Sequence, residues 1–211
     1  SYLKNDEIFT YLYNYQGIRY QKSKDNEYKV NYYLEGTKIV GEDLVDKDGN
    51  IIRKFRYFYD ASGICGINYI TSDNTDHYYN FVKDSLGNVA KIMYRGKYIG
   101  EYIYDAWGNC KIKSLSSSND LDIYVLENNP FRYKGYYLDV ETNLYYCNTR
   151  YYSPALCSWL SPDEIVYLDY ESMHGLSLYC YCYNNPIMYV DPNGNRATAW
   201  WEWVLAGVIV A

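Results

Sequence analysis

The sequence predicts an all-β, antiparallel fold from three observations: its tyrosine content, a recurring Asp/Asn-to-Gly turn signal, and aromatic alternation with period two between those turns. The 211 residues include 31 tyrosines against 5 Phe and 5 Trp. Tyrosine suits a pleated, half-buried surface, because the ring supplies apolar area while the hydroxyl reaches water or a backbone group. With 48% hydrophobic and 22% charged residues, the chain can bury a sizeable core as one or two domains, which argues against disorder.

The turn signal organises residues 11 to 113. Tyr15-Gln16-Gly17, Asp46-Lys47-Asp48-Gly49-Asn50, Tyr59-Asp60-Ala61-Ser62-Gly63, Lys83-Asp84-Ser85-Leu86-Gly87-Asn88 and Tyr104-Asp105-Ala106-Trp107-Gly108-Asn109 close each pair of strands. Asp and Asn cap tight turns through the side chain, and Gly accepts the positive φ that closes a hairpin. Successive glycines at 17, 49, 63, 87 and 108 lie 32, 14, 24 and 21 residues apart, an irregular repeat of short hairpins. Between turns, Phe55, Tyr57 and Tyr59 are expected on one face of a strand, and Tyr98, Tyr102 and Tyr104 on one face of another. Ser114 to Asp120 is a loop by composition, within a linker spanning residues 114 to 130. Helix is expected only from Asp163 to Tyr170, after Pro162, and in a short tail from Ala197 to Ala211.

Composition bounds function as well. A formal charge of −6, from 20 basic and 26 acidic residues with no Lys/Arg cluster, argues against nucleic-acid binding, which needs a concentrated basic surface. Cys65, Cys110, Cys147, Cys157, Cys180 and Cys182 are scattered through tyrosine-rich stretches. They read as small buried apolar residues, with Cys180 and Cys182 on one face of a strand. No CxxC pair stands near His77 or His174, so no metal site and no cofactor is expected. No Ser/His/Asp set or P-loop is visible either. Ser1 to Thr10 has no basic and then apolar leader pattern, so any export signal is expected upstream. Ala199 to Ala211 reads AWWEWVLAGVIVA, shorter than the roughly 20 residues that span a bilayer. It is expected to be a buried helix or the start of a membrane-interacting segment, which makes the chain a fragment.

The most informative stretch is an ordered set of motifs: Phe131-Arg132-Tyr133-Lys134-Gly135-Tyr136-Tyr137, Glu141-Thr142-Asn143-Leu144-Tyr145-Tyr146, Arg150-Tyr151-Tyr152-Ser153-Pro154, Trp159-Leu160-Ser161-Pro162-Asp163, Leu176-Ser177-Leu178-Tyr179, Asn184-Asn185-Pro186 and Asp191-Pro192-Asn193-Gly194. This set, with the preceding Tyr-Asp turn units, resembles the rearrangement-hotspot (Rhs) and YD-repeat family of polymorphic toxins, insecticidal toxin complexes and teneurin-like adhesins. The resemblance implies an antiparallel β-ribbon that spirals as part of a hollow β-shell. YD repeats would occupy residues 1–113 and the repeat-associated core 131–194, with a variable toxin or pre-toxin region beginning at 195–211. It implies a secreted or cell-surface bacterial protein of interbacterial competition. Its partners would be its own C-terminal toxin domain and a cognate immunity protein.

The resemblance also implies self-cleavage shortly after the DPxG motif by an aspartyl-protease-like pair, Asp163 and Asp191, with Arg150 orienting or polarising the scissile carbonyl. Two carboxylates held close cannot both ionise, so one serves as acid while the other activates water. Pro192, Gly194 and Asn195 mark the junction, and Asn195 stands where the family usually has Leu. Ordinary turn chemistry also places Asp beside Pro or Gly, and Asp163 suits the cap of the short helix expected to follow it. The alternative function is a carbohydrate-binding adhesin at the cell surface or wall, in which exposed Tyr and Trp stack on sugar rings.

Overall fold

The structure, a computed structural model, describes residues 2–4, 7–25, 27–115, 119–163, 177–199 and 202. It divides into two compact units: Ser1–Tyr59 with Ile64–Asn80, and Asp60–Gly63 with Phe81–Ala211. The fold is antiparallel β throughout, with one short helix among the described residues.

The first unit is a meander of β1 (Tyr2–Lys4), β2 (Glu7–Tyr13), β3 (Arg19–Lys24), β4 (Tyr28–Glu35), β5 (Lys38–Asp46), β6 (Ile51–Asp60), β7 (Gly63–Ile70) and the first residues of β8 (Asp76–Lys83). Its buried face carries Phe9, Val30, Tyr32, Phe55, Tyr57, Ile67 and Tyr79. Charges share that face. Arg53 pairs with Glu42 at 2.5 Å and lies 4.4 Å over the Phe55 ring, while the Arg19 guanidinium lies between the rings of Tyr11 and Tyr32. Aromatic faces attract such cations, so the mixed surface carries charge without isolating it.

The five turn glycines at 17, 49, 63, 87 and 108 all have positive φ, as expected. In three of the turns one aspartate does the capping. Asp46, Asp84 and Asp105 each accept two backbone N–H groups on Oδ1, at i+2 and i+4, while Oδ2 takes the side-chain amide of Asn50, Asn88 or Asn109.

In the second unit, β9 (Val89–Tyr94), β10 (Lys97–Tyr104) and β11 (Cys110–Ser114) pair antiparallel. Next come α1 (Asp120–Asn128), then the four-stranded antiparallel sheet of β12 (Tyr137–Asp139), β13 (Leu144–Cys147), β14 (Arg150–Ser153) and β15 (Ser158–Trp159), and the hairpin of β16 (Tyr189–Val190) and β17 (Thr198–Ala199). Tyr133, Tyr136, Tyr145, Tyr152, Trp159 and Tyr181 form the aromatic core, with Tyr152 and Tyr181 ring centres 4.0 Å apart. Their hydroxyls are used. Tyr133, Tyr152 and Tyr145 donate to the carbonyls of Ala106, Trp107 and Gly108 at 2.8, 2.8 and 3.0 Å, fastening the β10–β11 turn onto the core. Gly108 is required there: its φ is +92°, and a Cβ would lie 2.7 Å from the Tyr133 ring.

Four expectations need correction. The linker expected from 114 to 130 contains α1, because Asn119 accepts the N–H of Asp122 at 2.8 Å, Asp120 and Asp122 favour the N-terminal turn, and Val125 and Leu126 find a buried seat. Asn129 and Pro130 end it. Tyr98 does not share a face with Tyr102 and Tyr104. A bulge between Tyr98 and Gly100 shifts the register, leaving Tyr98 47% exposed and burying Ile99 and Tyr102. Cys180 and Cys182 are not on a strand: Cys180 makes an isolated bridge to Ser158, and Cys182 begins the 3₁₀ turn Cys182–Asn184 with positive φ. The tail expected as helix from Ala197 instead has Thr198–Ala199 as strand β17, and most of the rest lies outside the described residues. The helix expected at 163 to 170 lies outside them beyond Asp163.

Candidate functional site at the β14–β16 junction

Three short segments build the site. The β13–β14 hairpin turns through Asn148 and Thr149, with Asn148 at φ +58° and Cys147 opposite Arg150 in register. A two-residue turn fixes where Arg150 emerges. The segment after β15 brings in Asp163, whose N–H donates to the Leu178 carbonyl at 2.9 Å. The β16–β17 loop brings in Asp191, Pro192, Asn193, Gly194 and Asn195.

The structure brings together all three residues singled out for chemistry. One nitrogen of Arg150, Nη2, lies 2.8 Å from Asp163 Oδ2 and 3.3 Å from Asp191 Oδ2. The two oxygens are therefore at most 6.1 Å apart, the sum of those distances. Arg150 is itself held: its guanidinium lies 4.2 Å from the centre of the Trp159 ring, Nη1 donates to the Leu178 carbonyl at 3.4 Å, and Nε donates to the Gly194 carbonyl. Side-chain exposure is 6% for Arg150, 17% for Asp163 and 2% for Asp191, so these charges meet where water screens them weakly.

Asp191 organises the loop around it. Its Oδ1 accepts the N–H groups of Gly194, Asn195 and Arg196 at 2.9, 3.0 and 3.2 Å. Its own N–H donates to the Tyr136 hydroxyl at 3.3 Å, and that hydroxyl donates to the Asp191 carbonyl at 2.8 Å. Burial pushes the Asp191 carboxyl above the usual carboxylate range, and Arg150 with the three amide N–H groups offsets this only in part. A cavity of about 40 Å³ lies against Arg150, Asp163, Asp191 and Asn195, enough to admit a water molecule.

Gly194 is needed at its position. Its φ is +80°, and a Cβ would lie 2.5 Å from the Cys147 carbonyl and 2.8 Å from Thr149 Oγ1. Asn195 places its side-chain oxygen 2.8 Å from Thr149 Oγ1. Sequence reasoning passed over Thr149, Tyr136 and Trp159. Thr149 precedes Arg150 directly, which was the available signal. No cluster of His, Cys, Asp and Glu among the described residues has the arrangement of a metal site.

No family model matches the chain. It is 33% identical over 197 residues to the tRNA nuclease WapA of Bacillus subtilis (strain 168), a match covering 93% of this chain and 8% of that protein. The tRNA(Glu)-specific nuclease WapA of Bacillus subtilis subsp. natto is 34% identical over 195 residues. The fold matches a crystal structure of TcdB2-TccC3 with TM-score 0.69 at 21% identity, over 90% of this chain and 9% of that one. The chain belongs to the Rhs/YD-repeat family. Another solved structure of the same fold, the Tc holotoxin pore of Photorhabdus luminescens, covers 90% of this Rhs/YD-repeat chain with TM-score 0.58 at 20% identity. Salivary gland surface protein 1 of Aedes aegypti is 28% identical over 213 residues. The chain spans 8% of the length of the WapA relatives, so the activity in their names belongs to much longer proteins.

Proposed function

We propose that this chain is the end of an Rhs/YD-repeat shell that encloses and delivers a toxic C-terminal domain, and that it releases that domain by cutting itself just after the DPNG motif. The observation that carries the reading is the convergence of Asp163 and Asp191 on one nitrogen of Arg150, beside the peptide groups of Gly194 and Asn195.

Asp163, paired with Arg150 and bordering the water-sized cavity, is the base that draws a proton from water. Asp191, whose burial favours the neutral acid, protonates the departing amine. Arg150 holds the carbonyl under attack. One turnover per molecule makes no demand for a fast enzyme, since a tethered substrate reaches effective concentrations on the order of 10⁵ M or more. An interior lined with tyrosine hydroxyls and scattered charges, which this composition supplies, suits a wall that holds a cargo chain without one continuous apolar surface. Membership of this family and likeness to toxin-complex components support a secreted or cell-surface location, a toxin cargo and a cognate immunity protein.

The test is native size-exclusion of the purified full-length parent. A cargo fragment that is cut yet co-elutes with the shell, and separates only in denaturant, supports enclosure. A cut fragment eluting freely contradicts enclosure, and an uncut chain contradicts self-release.

A further inference from the structure

One strand of the second unit has an open edge and a charge opposite to that of the chain as a whole. We infer that β11 is a docking edge for an extended acidic peptide, which adds to the sheet as a further antiparallel strand alongside Lys111-Ile112-Lys113.

Strand β11 closes the strand order. Among the described residues it pairs with β10 alone, in the register Gly100↔Ser114, Glu101↔Lys113, Tyr102↔Ile112 and Ile103↔Lys111. In an antiparallel strand the N–H and C=O groups of alternate residues point to opposite sides, so the far side of β11 offers backbone donors and acceptors to a further strand. Lys111 to Ser114 are all exposed, which leaves that side open. Helix α1 is seated over the neighbouring strand: Leu126 packs so closely on Gly100 of β10 that a Cβ there would lie 2.3 Å from it.

The side chains of this edge select the partner. Strands β9 to β11 and their turns carry five basic residues, Lys91, Arg95, Lys97, Lys111 and Lys113, against two acids, Glu101 and Asp105, in a chain whose formal charge is −6. Asp105 is turned into its own hairpin, where it accepts the N–H groups of Trp107 and Asn109 and the side-chain amide of Asn109. Glu101 pairs with Lys113 at 2.8 Å, and the Lys113 side chain stays mostly exposed. Lys111 stands opposite Ile103, an exposed apolar residue.

Like charges facing each other across two strands destabilise the pairing, and opposite charges stabilise it. The two lysines therefore reject a second copy of β11 and admit a strand with acids at alternate positions. Ile112 lies between them on the other face and is exposed, so an apolar residue between the two acids covers it. The pattern recognised is acid, apolar, acid. Main-chain hydrogen bonds supply affinity in such strand addition, and the alternating side chains supply specificity.

The experiment measures binding of a fluorescein-labelled hexapeptide of alternating Glu and Val to the full-length parent by anisotropy, and maps backbone hydrogen exchange with and without it. Hexapeptides alternating Lys with Val and Glu with Pro are the controls. The Glu/Pro peptide has the same charge and lacks every second N–H, so it reports charge attraction without strand pairing. The Glu/Val peptide is expected to saturate, to bind more tightly than either control, to weaken as salt rises and to protect the amides of β11. Lys111→Glu should weaken it by about tenfold and leave the melting curve unchanged. Absence of binding, equal binding of the Glu/Pro peptide, an undiminished affinity in Lys111→Glu, or protection confined to other strands overturns the inference. So does self-association of the parent that the peptide displaces, which assigns the edge to a second copy. None of these outcomes bears on self-cleavage.

Discussion

Asp191 Oδ1 accepts the backbone N–H of Asn195 at 3.0 Å, so the carboxyl group held above its usual pKa lies against the peptide nitrogen that follows the DPNG turn, where the proposed cut falls. This contact ties the rate to pH. A carboxyl whose folded-state pKa is raised stays neutral to higher pH and loses its proton as pH rises through that folded value. Cleavage should therefore be fastest on the acid side of neutrality and fall as Asp191 ionises. The same sign holds for stability: the benefit of a neutral Asp191 is complete below the ordinary carboxylate range and is lost on the way up. Single-turnover rates across pH check the first point, and unfolding midpoints of Asp191→Asn, which should lack that part of the pH dependence, check the second.

Gly194→Ala should stop the cut with little loss of the shell. The added Cβ meets the Cys147 carbonyl and Thr149 Oγ1, and φ +80° disfavours alanine, so the loop must shift. Misplacement by about 1 Å costs on the order of 10² in rate. Intact mass after a fixed incubation should show uncut chain, with a melting curve close to wild type.

Tyr152→Phe should destabilise the second unit by about 1 kcal/mol, because the half-buried Trp107 carbonyl loses its donor while the ring packing stays. Denaturant unfolding measures it. Gly108→Ala should cost more, since it strains the backbone at φ +92° and drives a Cβ into the Tyr133 ring.

Cys147 and Cys182 should resist alkylation in the folded protein and react once it unfolds. Burial pushes Cys147 well above the usual thiol range and Cys182 up to about 12, which keeps both as thiols near neutral pH. Mass spectrometry after brief iodoacetamide treatment, with and without denaturant, reads the difference.

The parts of the fold legible in the sequence were those set by local chemistry. The Asp-to-Gly spacing located the five turns because a capping side chain and a positive φ leave few alternatives. The motif order located Arg150, Asp163 and Asp191, and these do converge. What escaped depended on context. A bulge at Tyr98 is set by pairing with β9, and nothing in the alternation of residues 98 to 104 announces it. Helix α1 was hidden behind a serine run, although Asn119 and the acidic first turn were its signal. Thr149 is an unremarkable turn residue until the β16–β17 loop, more than forty positions later, comes back against it.

The most direct measurement is the intact mass of the full-length parent carrying Asp163→Asn or Asp191→Asn, each beside wild type and incubated under one condition. Wild type is expected to yield a fragment beginning just after Gly194, and each variant to remain whole. A fragment of the same mass from both variants would show that the two carboxylates joined by Arg150 are a structural bracket with no part in the cut.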